Sequence, residues 1–223
     1  MMALEVSPAR ARAVFGERVE LAERYATLLT GDAVTRGLLG PREPERIWER
    51  HLLNCAVLSE LLPPNARLVD VGSGAGLPGL AVAIRRPDLR VELVEPAQRR
   101  VEFLSGVIDT LGLADAVRVV RGRAEEPGLR AAVGDAAWVT ARAVAPLDRL
   151  VGWCLPLLQA GGHLLAMKGT TAEVELGRYR AAIERAGGRD AEVVACGASE
   201  LSQPTLVVVI RRAALPVTRG NHD

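Results

Sequence analysis

From residue 66 onward the chain alternates short apolar, β-branched runs with segments of helical length, and this alternation restricts the possible folds more than any other feature. The runs are Leu68–Val71, Val91–Val94, Val117–Val120, Trp138–Thr140, His163–Met167, Val193–Ala195 and Leu206–Ile210. Gln98–Leu111 and Leu147–Gln159 have helical length and periodicity. Strands separated by helices build a mostly parallel sheet covered on both faces, so the fold class is α/β with seven strands.

No strand signal precedes residue 66. Val14, Leu21, Tyr25 and Leu28 recur at spacings of seven, four and three, which puts them on one helical face. Ser7-Pro8 reads as a helix start and Gly31-Asp32 as its stop. A second helix is expected from about Glu45 to Leu62, ended by Pro63-Pro64. The expected organisation is a helical extension over 1–64 packed on an α/β core over 65–212, with a polar, frayed tail over 213–223.

The chain has 223 residues, 49% of them hydrophobic, enough for a substantial single core. Glu5, Arg10, Arg12, Glu17 and Arg18 break any apolar stretch that would serve as a signal peptide. No stretch approaches the roughly 18 apolar residues of a membrane span. A cytoplasmic, membrane-free protein is the expectation, with a monomer as the default and no protein partner inferred. Cys55, Cys154 and Cys196 are scattered and form no C-x-x-C pair, which disfavours a disulfide framework or a zinc knuckle. They read as reduced thiols packed as small hydrophobes. The net charge of +1 excludes the strongly basic signature of many nucleic-acid binders, although arginines occur in pairs at 85–86, 99–100 and 211–212.

Chemistry concentrates in Val69-Asp-Val-Gly-Ser-Gly-Ala-Gly-Leu-Pro-Gly79, which follows the first strand and enters a helix over Leu80–Arg86. Glycines here allow sharp turns with positive φ and let a ligand lie against bare backbone. In an open α/β sheet the carboxyl end of this strand is where ligands bind. Two cofactors compete for the pattern. Gly74-x-Gly76-x-x-Gly79 satisfies the dinucleotide fingerprint, but Gly72, not Gly74, stands directly at the strand end. Asp70-x-Gly72-x-Gly74-x-Gly76 resembles motif I of class I S-adenosylmethionine-dependent methyltransferases. Glu95 closes the second strand about twenty residues later, where a carboxylate accepts both hydroxyls of a ribose. Both cofactors contain a ribose, so Glu95 does not choose between them.

With its flanks, the motif resembles the bacterial RsmG/GidB family, guanine-N7 methyltransferases of 16S ribosomal RNA in the small ribosomal subunit. Five segments carry the resemblance: Arg50-His-Leu-Leu-Asn54, Asp70 through Gly79, Gly122-Arg-Ala-Glu-Glu126, Thr140-Ala-Arg-Ala-Val-Ala145 and Ala166-Met-Lys-Gly169. It implies a Rossmann-like fold, S-adenosyl-L-methionine as cofactor, and cofactor contacts at Gly72, Gly74, Gly76, Leu77, Glu95, Ala124, Glu125 and Arg142. The family often has Asp where Asn54 stands, which weakens any acidic role there. Arg123, Arg142 and Lys168, whose cationic donors suit phosphate and the O6/N7 edge of guanine, are candidates for holding RNA, and His51 for a cofactor or base contact. Surface charge is the bland alternative for Arg123 and Lys168, a capping or core role that for His51.

No catalytic acid, base, nucleophile or metal ligand is expected. A Pro-Cys nucleophile for pyrimidine carbon 5 is missing, and Thr140-Ala-Arg142 stands where amine methylation favours Asn/Asp-Pro-Pro-aromatic. His51, His163 and His222 are isolated. Guanine N7 carries a free lone pair at neutral pH and needs only alignment with the methyl donor. Three rival readings remain at this level: an NAD-dependent oxidoreductase, a non-enzymatic RNA-binding or ribosome-assembly factor, and a small-molecule methyltransferase.

Overall fold

The structure is a computed structural model that describes residues 8–214. Seven strands form one sheet: β1 Arg67–Val71, β2 Arg90–Glu95, β3 Val117–Arg121, β4 Ala136–Arg142, β5 Leu158–Met167, β6 Gly188–Cys196 and β7 Thr205–Arg212. Their order is β3-β2-β1-β4-β5-β7-β6. β1 to β5 run parallel, and β7 is antiparallel to both β5 and β6. Each apolar run read from the sequence lies within one of these strands.

The register aligns the carboxyl ends of the parallel strands. Val71 pairs with Val94 and Ala141, Glu95 with Arg121, and Arg142 with Met167. The strand order reverses direction between β1 and β4, so a crevice opens there at the carboxyl edge.

Alternation along β1 divides the interior into two layers. Leu68 faces a core shared with Val14, Tyr25, Leu52, Leu80 and Phe103, while Val69 faces one shared with Leu129, Leu150, Leu176 and Ile183. The first layer contains α1 Pro8–Phe15, α2 Val19–Leu28, α4 Gly79–Arg85 and α5 Gln98–Leu111; the second contains α6 Pro127–Val133, α7 Leu147–Cys154 and α8 Ala172–Arg185. Between α2 and β1 lies a helical run over 44–61. It consists of a 3₁₀ turn at Pro44–Arg46, a π segment Ile47–Leu53, a single α turn, α3, at Asn54–Ala56, and a 3₁₀ stretch Val57–Leu61. Leu62 is already extended, as the following prolines require. Phe15 and Trp48 meet edge to face at 6.4 Å and join the first helices to this run.

Two sequence expectations need correction. Gly31-Asp32 does not stop the first helical region, because the backbone passes through Gly31 in a π turn, Leu29–Ala33. The stop is Gly37, with φ +66°; Leu38 N–H donates to Ala33 O and Gly37 N–H to Val34 O, a Schellman closure. The helix expected over Leu147–Gln159 ends earlier: α7 closes at Cys154, Pro156 lies in a 3₁₀ turn, and Leu158 already pairs with Ala136 in the sheet. Ser7 and the tail over 215–223, including His222, lie outside the described residues. Among the described residues no helix is long and apolar enough to cross a membrane.

Candidate active site

The glycine loop is built around Asp70. Its side chain projects from β1 into the first core layer, fully buried, and Oδ2 accepts the Gly79 N–H at 3.0 Å. This bond ties the start of α4 to the strand. A Cβ at Gly79 would approach Leu93 Cδ2 to 2.4 Å and Asp70 Oδ2 to 2.8 Å, so only glycine fits. Ser73 Oγ donates to Asp70 O at 2.8 Å, and Gly72 and Ser73 N–H both donate to Val94 O. Burial pushes the Asp70 carboxyl up to about 7, against the opposing effects of the Gly79 and Ser73 hydrogen bonds and of Arg142.

A cleft of about 310 Å³ opens beside this loop, bordered by Gly72, Glu95, Arg123, Ala124, Glu125, Arg142 and Trp153 among others. Six of the eleven site residues expected from the sequence therefore meet in one place. Glu95 is 1% exposed; its Oε2 accepts from Gly74 N–H and its Oε1 from Ala97 N–H, each at 3.0 Å. A carboxylate has about four lone-pair positions, so two remain for the hydroxyls of a ribose. Arg100 stands 3.6 Å from Oε1. At the other end Val144 covers Gly72, where a Cβ would come within 2.8 Å of Val144 Cγ2. Ala143 beside it has φ +55°, a strained conformation for a residue with a side chain, and it borders this cleft.

A second cleft, about 930 Å³, shares Arg142, Ala143 and Val144 with the first and continues along Arg50, Asn54, Lys168, Thr170 and Gln203. Lys168 is no free surface charge. Its side chain is 9% exposed, Nζ donates to Ala145 O at 2.7 Å, and it pairs with Glu175 at 2.9 Å. Arg123, 62% exposed, lies 3.9 Å from Glu125 on the rim.

The remaining expected site residues lie elsewhere. Gly74 contributes its N–H to Glu95 but does not border either cleft. Gly76 and Leu77 belong to the helical layer: a Cβ at Gly76 would meet Leu80 and the Tyr25 hydroxyl, and Leu77 is buried in the core. The second glycine of the dinucleotide pattern is thus packed against protein. His51 also lies outside both clefts, 7% exposed, behind Arg142. Its Nδ1 is 2.7 Å from Arg142 Nη2 and its Nε2 2.5 Å from Glu43 Oε2. Arg142 donates further to Cys55 Sγ at 2.7 Å and to Arg50 O at 3.1 Å. Cys55 is therefore a hydrogen-bond partner as well as a small buried hydrophobe, and all three cysteines are free and buried. His163 stacks on Trp138 at 4.8 Å, on the sheet and away from the clefts.

Sequence reasoning named neither Glu43 nor Arg50 nor Cys55 as a site residue, and placed Tyr25 only on one face of the first helix. Tyr25 Oη donates to Ala75 O at 2.8 Å and supports the glycine loop from α2. The Arg50–Asn54 segment carried the only signal, since it matched the family pattern before any strand had begun.

Comparison with known proteins agrees with this geometry. A family model described as GidB, rRNA small subunit methyltransferase G, matches residues 18–205. The ribosomal RNA small subunit methyltransferase G of Salinispora arenicola is 53% identical over 213 residues, covering 93% of this chain and 87% of the relative. That of Mycobacterium marinum is 55% identical over 210 residues, covering 94% and 90%. Among solved structures, Aeropyrum pernix fibrillarin with natively bound S-adenosyl-L-methionine superposes with a TM-score of 0.51 at 20% identity, covering 73% of this chain and 75% of that one. A putative S-adenosyl-L-methionine-dependent methyltransferase of Methanococcus maripaludis gives 0.59 at 14% identity, covering 77% and 91%. These structural likenesses establish the class I methyltransferase fold, and the sequence matches establish the family. This chain belongs to the GidB family, the rRNA small subunit methyltransferases G.

Proposed function

We propose that the protein transfers a methyl group from S-adenosyl-L-methionine to N7 of a guanine in 16S ribosomal RNA. The reaction is an in-line displacement without a covalent intermediate. One observation carries this reading: a cleft suited to a nucleoside and a larger cleft flanked by cationic side chains meet at Arg142, Ala143 and Val144.

Bound S-adenosylmethionine supplies the electrophilic methyl group. Glu95 accepts the ribose hydroxyls through its two spare lone-pair positions, and Gly72, beneath Val144, borders the methionine end. Ala124 and Glu125 flank the adenine. In the second cleft the target guanine lies between Arg142 and the Asn54–Lys168 wall. Arg142 donates to O6 rather than N7, because N7 must keep its lone pair for the methyl group. Holding N7 in line lowers the barrier by about 7–11 kcal/mol, so no side chain needs to remove a proton or attack. Arg123 on the rim meets RNA phosphate, and Lys168 fixes the loop that separates the clefts.

The proposal extends to the surroundings of the site. The substrate is the small ribosomal subunit or its RNA, the enzyme acts as a cytoplasmic monomer, and residues 1–64 form an extension of the catalytic core at 65–212. The shared apolar layer of α1, α2, α4 and α5 supports that last assignment.

Radiolabelled S-adenosylmethionine is incubated with small ribosomal subunits from cells lacking this gene, and the RNA is digested to nucleosides. Label in 7-methylguanosine is the expected result. Label in any other nucleoside, or none while the cofactor still binds, overturns the assignment.

A further inference from the structure

Arg142 does not stand alone at the junction of the clefts. The guanidinium is aimed by the helical run that precedes the first strand: Cys55 Sγ takes Nη1, and Arg50 O and His51 Nδ1 take Nη2. A guanidinium can only donate, so His51 Nδ1 must accept with its lone pair. The ring hydrogen then sits on Nε2 and is donated to Glu43 Oε2. Glu43 thereby selects the one tautomer of His51 that can hold Arg142.

We propose that Glu43 and His51 are positioning residues that orient Arg142 for methyl transfer, and that protonation of His51 releases the guanidinium. The inference rests on Arg142 acting at the junction of the two clefts. In the imidazolium both nitrogens donate, so Nδ1–H would face the Nη2 hydrogens of Arg142, cation against cation. The groups around His51 are Glu43 before the run, Arg50 within it and Arg142 from β4; Cys55 accepts from the other arm of the guanidinium, and Asp70 of β1 and Tyr25 of α2 lie within electrostatic reach of Arg142. Burial, then Arg142, hold the imidazole below its ordinary pKa, with Glu43 pulling the other way. The neutral, Arg-holding form therefore persists at neutral pH, and release belongs to the acid side.

The experiment measures kcat and KM for methylation of unmodified small subunits between pH 5 and 8. Cofactor affinity and thermal unfolding are followed in parallel for wild type and the variants E43A, E43Q, H51F, H51N and R142A. Loss of a hydrogen bond to a charged group predicts that kcat falls about tenfold or more in E43A and H51F at pH 7.5. The side-chain amide introduced by E43Q keeps an acceptor for Nε2–H, so that variant should stay within about threefold of wild type. H51N places a non-titrating oxygen near the position of Nδ1. It should keep activity at pH 7.5 and lose the His51 part of the acid limb that wild type shows, so that the limb becomes shallower while any Asp70 titration near 7 is retained.

Wild-type kcat in both E43A and H51F, with R142A inactive, overturns the positioning pair while leaving Arg142 in place. Full activity of R142A removes the premise itself. An acid limb unchanged in H51N overturns the switch. Should H51F fail to fold, the contrast between E43A and E43Q, at a half-buried position, decides the matter.

Discussion

Glu95 and Lys168 show how single side chains at this edge serve the site and the fold together. Glu95 already bonds Gly74 and Ala97 from within the protein, so the loop it shapes and the lone-pair positions it leaves open depend on one carboxylate. Glu95→Ala should weaken S-adenosylmethionine binding by about 1–3 kcal/mol, as expected for losing charged hydrogen bonds. Calorimetry giving wild-type affinity would rule out the ribose role. Lys168 reaches Ala145 O from the end of β5 and so restrains the loop carrying Ala143 and Val144. Lys168→Met keeps the apolar stem and removes the donor, and turnover on small subunits should fall about tenfold. A variant with wild-type turnover would return Lys168 to a packing role. From sequence Lys168 could pass for surface charge, because nothing local says that its ammonium is enclosed by Glu175 and a backbone carbonyl from another segment.

At the scale of elements, the β1–loop–α4 unit depends on helices that come earlier in the chain. α2 supports the glycine loop through the Tyr25–Ala75 hydrogen bond, which is fully buried. Tyr25→Phe leaves the carbonyl of Ala75 without its partner, and stability should drop by about 1–3 kcal/mol in urea unfolding. An unchanged midpoint would mean that water or a shifted donor replaces the hydroxyl. The helical boundaries were the least legible elements. Gly31 reads as a stop because glycine is a poor helix former, yet a π turn passes through it and the closure waits for Gly37. α7 ends before the periodicity does, because Pro156 and pairing with Ala136 draw Leu158 into the sheet. At Leu158 sheet pairing outweighed helical periodicity, whereas exposed Gly31 was carried inside the helical run and the left-handed Gly37 closed it.

Across the whole molecule, stability should depend on pH through two buried groups of opposite sign. Asp70 has its pKa raised to about 7, so between about 4 and 7 the folded protein holds a proton that the unfolded chain has released. Its contribution is present at low pH and lost as pH rises through 7. His51 is lowered, so its contribution is present above the ordinary value near 6.5 and lost as pH falls through the folded value. Asp70→Asn removes only the first effect. The stability of the variant relative to wild type should therefore rise from pH 4 to pH 7, by at most about 1.4 kcal/mol per pH unit. A difference independent of pH, in urea unfolding across that range, would mean that Asp70 titrates normally.

The sequence alone determined the sheet, the order of strands and helices along the chain and the glycine loop. Buried parallel strands must be apolar runs, and a close turn beneath a ligand must lack side chains; both are local chemical requirements written in consecutive residues. Resemblance across five short segments carried the family and the cofactor. Only the tertiary structure decided which of those residues face a cleft. Gly76 and Leu77 turn to the helices and Glu95 to the first cleft, according to how the loop packs on Tyr25 and Leu80. It also decided that His51 lies behind Arg142 rather than before it, since their contact joins positions 91 residues apart, with Glu43 completing it from just before the run that carries His51. Hydrogen-bond direction and burial arise from the meeting of distant elements, and no spacing along the chain encodes them.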